Sequence, residues 1–327
     1  MSASVRITAP SRIHFGLLSL HPTDVHPDAR RFGGAGVMVE QPSTEIVARK
    51  AETTTISGPL AGRVERFIET WAQSTGMDPA VDIRVVSNSP EHVGLGLGTQ
   101  LGLSVAWALD SLYGRDEVDL EERALSVGRG HRSAVGTYGF RDGGLIIDAG
   151  KTNRQPLGEL RERIDLPEDW CVLLVRPEGQ VGLAGQDEVA AFDTLPPVSD
   201  ELHTMLRREL HDRLVPAARA GDFETFAESV YQYGYSAGEC FSASQGGPFT
   251  CSDIAEFVAY CREVGVPGVG QSSWGPTVFG WFPHRAAAET FISNHLCNFA
   301  NFQANAVVTS VSRQGATRKL TEDVEVD

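Results

Sequence analysis

Apolar and polar positions alternate through residues 4–9 and again through 13–20, with Pro10 between them. Period-two alternation predicts half-buried strands. A polar stretch rich in histidine and proline follows at 20–31, then short strands are expected at 36–40, 45–49, 81–86 and 144–148. Leu60, Val64, Phe67, Ile68 and Trp71 recur at i, i+4, i+7, i+8 and i+11. That spacing predicts an amphipathic helix, opened by Ser57-Gly58-Pro59 and stopped near Gly76. A helix from about Thr99 to Tyr113 is apolar on most faces and so is expected to be buried. Residues 120–127 read as another helix.

The second half opens on a strand at 170–176. Helical patterns follow at 183–192, 199–220, 222–243 and 252–264, and strands at 278–282 and 306–311 flank a helix at 286–296. The polar segment 151–168 suggests a boundary between domains at 1–160 and 161–327, the second ending in a polar tail from about Gln314. The class is α+β, with helices and mainly antiparallel strands in each half.

Charge narrows the function. Lys and Arg total 28 against 43 Asp and Glu, a formal net charge of −15. Nucleic-acid binding rests on cationic contacts and is not expected. No apolar run reaches membrane-spanning length and the first residues lack an apolar leader core, so no membrane segment is expected and a cytoplasmic location is. Five scattered cysteines without a CxxC pair fit reduced thiols rather than disulfides or zinc.

The densest chemical signal is Gly94, Leu95, Gly96, Leu97, Gly98, Thr99 and Gln100, set between a predicted strand and the buried helix. Helix N-termini leave amides without partners and carry partial positive charge, and glycine lets an anion approach them closely. The loop is therefore a candidate phosphate cradle, with Thr99 as a possible cap. It matches neither Gly-Lys-Ser/Thr nor the G-x-G-x-x-G fingerprint. A glycine turn that only packs strand on helix is the alternative reading.

Three further segments change its weight: residues 11–18, SRIHFGLL; 136–148, GTYGFRDGGLIID; and 270–279, GQSSWGPTVF. With Arg30-Arg31-Phe32-Gly33-Gly34, they resemble the GHMP kinase superfamily, and within it the β-ribofuranosylaminobenzene 5′-phosphate synthase family. The likeness runs through nearly the whole chain. It implies an N-terminal domain like domain 2 of a ribosomal small-subunit protein and a ferredoxin-like C-terminal domain. It also implies transfer of a phosphoribosyl group from phosphoribosyl pyrophosphate to 4-aminobenzoate or a related aromatic acid. Carbon dioxide and pyrophosphate are lost, for methanopterin-type cofactors, with magnesium as the expected metal and a homodimer as the expected assembly. Kinases of the superfamily place a catalytic Asp in a Gly-x-x-Asp-Gln type motif, and the matching residues 134–139 hold none, though Asp142 and Asp148 lie nearby. An ATP-dependent small-molecule kinase and a non-catalytic phosphate-binding protein are the rival expectations.

In this scheme Arg12, His14, Gln271 and Ser272 are candidate catalytic residues. Arg12 or Arg31 is expected to hold a carboxylate or the 5′-phosphate, and Trp274 or Tyr138 to flank the aromatic ring. Thr137 and Ser273 are further candidate substrate contacts. His14 reads equally as a structural histidine, Asp148 as a metal ligand or a turn cap, and Trp274 as core. For the segment 131–133, His-Arg-Ser, a solvated helix end competes with an anion contact. Arg207-Arg208-Glu209 reads as a solvent face.

Overall fold

The computed structural model describes residues 3–19, 29–180, 182, 195–303 and 305–322. The polar stretch expected at 20–31 lies largely, and the helix expected at 183–192 wholly, outside the described residues.

The N-terminal sheet is built on two long strands. β1 (Ala3–Ser19) and β2 (Phe32–Lys50) pair antiparallel along their whole length. Pro10 does not split β1 as its position suggests; the register slips between Ala9 and Ser11 and the strand continues. A second bulge lies between His14 and Gly16. Bulges re-aim side chains, and this one stands beside the cleft described below. Likewise the strands expected at 36–40 and 45–49 are one strand. β3 (Thr55–Ser57) and β4 (Val81–Ser87) extend the sheet from the second half of β2, while β5 (Leu145–Asp148) and β6 (Leu160–Ile164) extend it from the first half.

Against this sheet lie α1 (Ala61–Thr75), α2 (Leu97–Leu112), α3 (Leu120–Ser126) and α4 (Val135–Asp142). In α1, Val64, Phe67, Ile68 and Trp71 are buried, as their spacing demands. Eleven residues of α2 are buried, including Gln100, Ser104 and Asp110. Asp110 accepts hydrogen bonds from Trp71 Nε1 at 3.0 Å and from Arg123 at 2.9 Å, which makes the buried carboxylate tolerable.

The second domain carries strands β7 (Cys171–Val175), β8 (Val269–Gln271), β9 (Val278–Phe282) and β10 (Val307–Ser310) in the antiparallel order β10-β7-β9-β8. Numbered within the domain this is 4-1-3-2, the ferredoxin-like arrangement expected. Its helices include α5, which runs through Asp200–Arg208, Glu209–Leu214 and Val215–Ala220 with a π turn in the middle, then α6 (Phe223–Glu239), α7 (Ser252–Glu263) and α8 (Arg285–Asn294). Trp170, Phe226 and Trp281 pack together, with Phe15 of β1 against Trp281, so one apolar cluster spans both domains.

Two boundaries differ from expectation. Residues Thr317–Glu322 form β11, which pairs with β1 from Ala3↔Glu322 to Thr8↔Thr317. The segment reads as a tail because Arg318, Lys319 and Thr321 are polar, but an edge strand needs backbone partners more than apolar side chains. The polar stretch expected to separate the domains contains β6, which belongs to the first sheet.

Candidate functional site

Burial through residues 93–98 has period two. Val93, Leu95 and Leu97 are buried, while Gly94, Gly96 and Gly98 are half-buried and face a cleft. Each apolar anchor contributes on the order of 1.5–3 kcal/mol on full burial, so the loop is pinned from behind while its glycines line the open side. Gly94 (φ 86°) and Gly96 (φ 75°) are left-handed. Helix α2 starts at Leu97, two residues earlier than expected, with Gly96 as its N-cap and no side-chain cap hydrogen bond. Thr99 is therefore a first-turn residue and not the cap. Its amide is bonded to the Gly96 carbonyl at 3.0 Å. The helix start faces the cleft with no side chain capping its amides, which suits an anion site.

The cleft is about 840 Å³, the size of a small-molecule site. Arg12, Arg63, Arg66, Arg129 and Arg132 line it, and Glu91 is the single carboxylate among its described lining residues. A local concentration of arginines in a chain of net charge −15 is what an anionic ligand needs. Two of them lie over the helix start: a Cβ at Gly98 would stand 2.8 Å from Arg63 Nη2 and 3.5 Å from Arg129 Nη1. On the other side of the loop, a Cβ at Gly96 would stand 3.1 Å from Arg12 Nε. Part of the lining is apolar: Leu17, Phe241, Phe249 and Trp274, with the Phe241 and Trp274 rings 4.6 Å apart edge to face.

The turn after β8 closes one wall. Ser272 Oγ donates to the Gly94 carbonyl at 2.8 Å and accepts from the His14 amide at 3.1 Å. It is fully buried, so it ties the two domains at the glycine loop and offers nothing to a ligand. Gln271 lines the cleft, but its Oε1 accepts from the Thr250 amide and its Nε2 donates to the Ser273 carbonyl. Both side chains brace the wall of the cleft, Ser272 from behind it and Gln271 within its lining. Ser273 and Trp274 also line the cleft, though Trp274 is only 5% exposed and its ring belongs to the apolar cluster that spans both domains.

His14 is more constrained than its sequence position shows. Its Nδ1 accepts from the Gly16 amide at 3.2 Å across the bulge, and its Nε2 lies 2.9 Å from Ser133 Oγ. An accepting Nδ1 makes the neutral ring carry its proton on Nε2. Burial, and then the Arg12 charge, hold its pKa well below the usual histidine value. A ring held in this way stays neutral near neutral pH and orients Ser133 through its Nε2. Ser133 Oγ in turn donates to Asp148 Oδ2 at 3.2 Å. Asp148 also accepts from the amides of Ala134 and Gly150, at 2.7 and 2.8 Å. Burial raises its pKa against the opposing pull of those donors.

Four expected contacts fall outside the cleft lining. Arg31 pairs by backbone with Lys151, and its side chain bonds Asn153. Tyr138 donates to the Gly158 carbonyl at 2.8 Å. Thr137 is buried on α4. Gln100 is buried too, its Nε2 donating to the Gly136 carbonyl at 2.9 Å where α2 meets α4. At Gly136 the two helices come into close contact, Thr99 Cγ2 standing 3.5 Å from where a Cβ would lie. Asp142 pairs with Arg141 at the far end of α4. Conversely, Arg63, Arg66 and Arg129 line the cleft without being among the residues expected there. Arg63 and Arg66 flank the apolar stripe of α1 and read as ordinary polar-face residues; the charge run Arg129-Gly130-His131-Arg132 was the available signal.

A sheet backed by four helices, joined to a ferredoxin-like domain, is the two-domain arrangement of one protein superfamily. The GHMP kinase N-terminal domain profile matches residues 62–140 and the GHMP kinase C-terminal profile matches 214–301, together just over half of the chain. The chain belongs to the GHMP kinase superfamily. Among solved structures it is similar to homoserine kinase from Cytophaga hutchinsonii (TM-score 0.70, 15% identity, 97% of each chain covered). Mevalonate diphosphate decarboxylase from Staphylococcus aureus is also similar (TM-score 0.68, 15% identity, 98% of this chain and 99% of that one). At these identities the likeness concerns fold alone. Within the superfamily, the chain is 29% identical to the beta-ribofuranosylphenol 5'-phosphate synthase of Archaeoglobus fulgidus, over 95% of this chain and 98% of that protein. The protein of the same name from Methanothermobacter thermautotrophicus is 29% identical over 84% of this chain and 87% of its own length.

Proposed function

We propose that the protein joins phosphoribosyl pyrophosphate to a para-hydroxylated benzoate, releasing carbon dioxide and pyrophosphate. The product is a β-ribofuranosylphenol 5′-phosphate, suited to methanopterin-type cofactor synthesis. The observation that carries this reading is a single cleft whose lining combines an arginine-ringed helix start with the Phe241–Trp274 aromatic pair. The relatives are named for a phenol product, whereas 4-aminobenzoate would leave an aniline, and this supports 4-hydroxybenzoate as the acceptor in our reading.

In this reading the diphosphate lies at the start of α2, between Arg12 on one side and Arg63 with Arg129 on the other. Fixed donors there stabilise the charge that develops as the C1–oxygen bond breaks. The acceptor ring lies against Trp274 and Phe241, its carboxylate-bearing carbon turned toward C1. That carbon bonds to C1, and loss of carbon dioxide returns the electron pair to the ring. Among the described residues no three His, Cys, Asp or Glu side chains gather as a metal cluster. A magnesium ion arriving with the diphosphate needs only one or two carboxylates, and Glu91, 3.0 Å from Arg63, is the one at hand. Such an ion would neutralise the leaving group.

The test is to incubate the protein with phosphoribosyl pyrophosphate, 4-hydroxybenzoate and magnesium, and to identify the aryl riboside phosphate by mass spectrometry. The reading expects that product. ADP formed from ATP and an alcohol, with no riboside, would replace it with the kinase reading.

A further inference from the structure

The reaction above leaves one proton without a carrier. As the ring carbon bonds to C1, the para hydroxyl becomes a carbonyl and its proton must leave. After carbon dioxide departs, the oxygen recovers a proton to give the phenol. Something must hold that proton for the life of the dienone, and the described lining offers few groups fit to do so. His14 stays neutral near neutral pH, as shown above. Glu91 is paired with Arg63. His131 lines the cleft, but burial and the charges of Lys151, Arg129 and Arg132 lower its pKa.

We infer that Ser133 contacts the acceptor's para hydroxyl and passes its proton to Asp148, which returns it after decarboxylation. The inference rests on the synthase reading. Ser133 stands in the cleft wall while Asp148 is wholly buried behind it. The hydrogen-bond directions are fixed by their neighbours. Because His14 Nδ1 accepts from Gly16, its Nε2–H must donate to Ser133 Oγ. The Val135 amide donates to the same oxygen at 3.2 Å. With both lone pairs occupied, the Ser133 hydroxyl proton is directed to Asp148 Oδ2. A substrate hydroxyl displaces the longer, local Val135 bond and completes a chain from phenol to Ser133 to Asp148.

The atoms balance. The phenolic proton moves to Ser133 Oγ as the Ser133 proton moves to Asp148. The ring carbon–C1 bond forms as the C1–diphosphate bond breaks. Loss of carbon dioxide then restores the ring as a phenolate, which takes the proton back by the reverse route. Asp148 is suited to the task because burial raises its pKa, bringing it closer to that of the proton it exchanges. The charged and titratable groups that feel it are Arg30, Lys151, Tyr138 and Tyr233. His14 is a positioning residue in this scheme, since it acts on the substrate only through Ser133.

Ser133→Ala tests the relay, with Ser133→Thr as the variant that keeps a hydroxyl. At neutral pH Ser133→Ala should lower kcat with 4-hydroxybenzoate by about 100-fold, the lower range for a lost acid–base group, and leave KM for phosphoribosyl pyrophosphate within about twofold. The deficit should shrink as pH rises toward the range where phenols ionise by themselves, about 9–10, and Ser133→Thr should retain most of the activity. A loss that is constant with pH, or no loss, overturns the relay while leaving the synthase reading intact. Absence of riboside from the unaltered protein removes both. If Ser133→Ala does not fold, Asp148→Asn assayed across the same pH range carries the same expectations.

Discussion

Gly98 can be changed in a way that separates binding from folding. It lies in the first turn of α2 without a left-handed φ, so Gly98→Ala gains helix propensity of up to about 1 kcal/mol. The added Cβ falls 2.8 Å from the flexible end of Arg63 and pushes its guanidinium off the helix start. The expected result is an unchanged or raised Tm with roughly tenfold weaker pyrophosphate binding by calorimetry, about 1.4 kcal/mol. Equal affinity would place the anion elsewhere. Gly94 offers no such separation. A Cβ there would meet the Ser272 carbonyl at 2.2 Å, so fold and site fail together. His14 gives a pH signature. Its folded pKa is depressed, so below about 6.5 the unfolded chain takes up a proton that the native ring refuses. Stability is therefore full above that pH and falls as the solution is acidified. A Tm–pH series from 7.5 to 5 should show a shallower acid decline for His14→Gln than for the unaltered protein; parallel curves would mean His14 titrates normally.

Elements show why some of this architecture was legible and some was not. The helix through Trp71 and the loop–helix junction at residue 97 follow from local periodicity, and the structure places both within a residue or two of that reading. The glycines of the loop could be recognised because alternate positions there serve core and cleft at once. Gln100 follows directly on the loop yet turns inward to the Gly136 carbonyl, while Thr137 and Tyr138 lie on α4, Thr137 buried and Tyr138 bonded to the Gly158 carbonyl, which no local pattern discloses. The arginines were opaque for the opposite reason: a cation beside an apolar stripe looks the same whether solvent or a ligand faces it. β11 was missed because strand identity at an edge comes from the partner, β1. Ending the chain after residue 316 should strip β1 of six paired residues and lower Tm, by about 2–4 °C for each kcal/mol lost. An unchanged Tm would make β11 dispensable. Within α2, Asp110→Ala removes the acceptor shared by Trp71, Arg115 and Arg123. Urea unfolding should register a loss of about 3 kcal/mol, and less than about 1 kcal/mol would show that the arginines reach solvent at little cost.

At the scale of the molecule, two domains share one apolar cluster and meet again at Ser272, so the glycine loop and the Phe241–Trp274 pair are held in fixed relation. This is what a transfer between a sugar diphosphate and a ring requires, since misplacement of the reacting atoms by about 1 Å can cost two orders of magnitude. The fold alone is shared with kinases and with a decarboxylase, and function lies in what the cleft presents. Here it presents five arginines, two helix-start glycines, an edge-to-face aromatic pair and a single paired carboxylate. The most direct measurement follows carbon dioxide from carboxyl-labelled 4-hydroxybenzoate alongside pyrophosphate, in the presence of phosphoribosyl pyrophosphate and magnesium. Equal amounts of the two, released together, are predicted. Pyrophosphate set free without carbon dioxide would mean simple hydrolysis of the donor and would contradict the account.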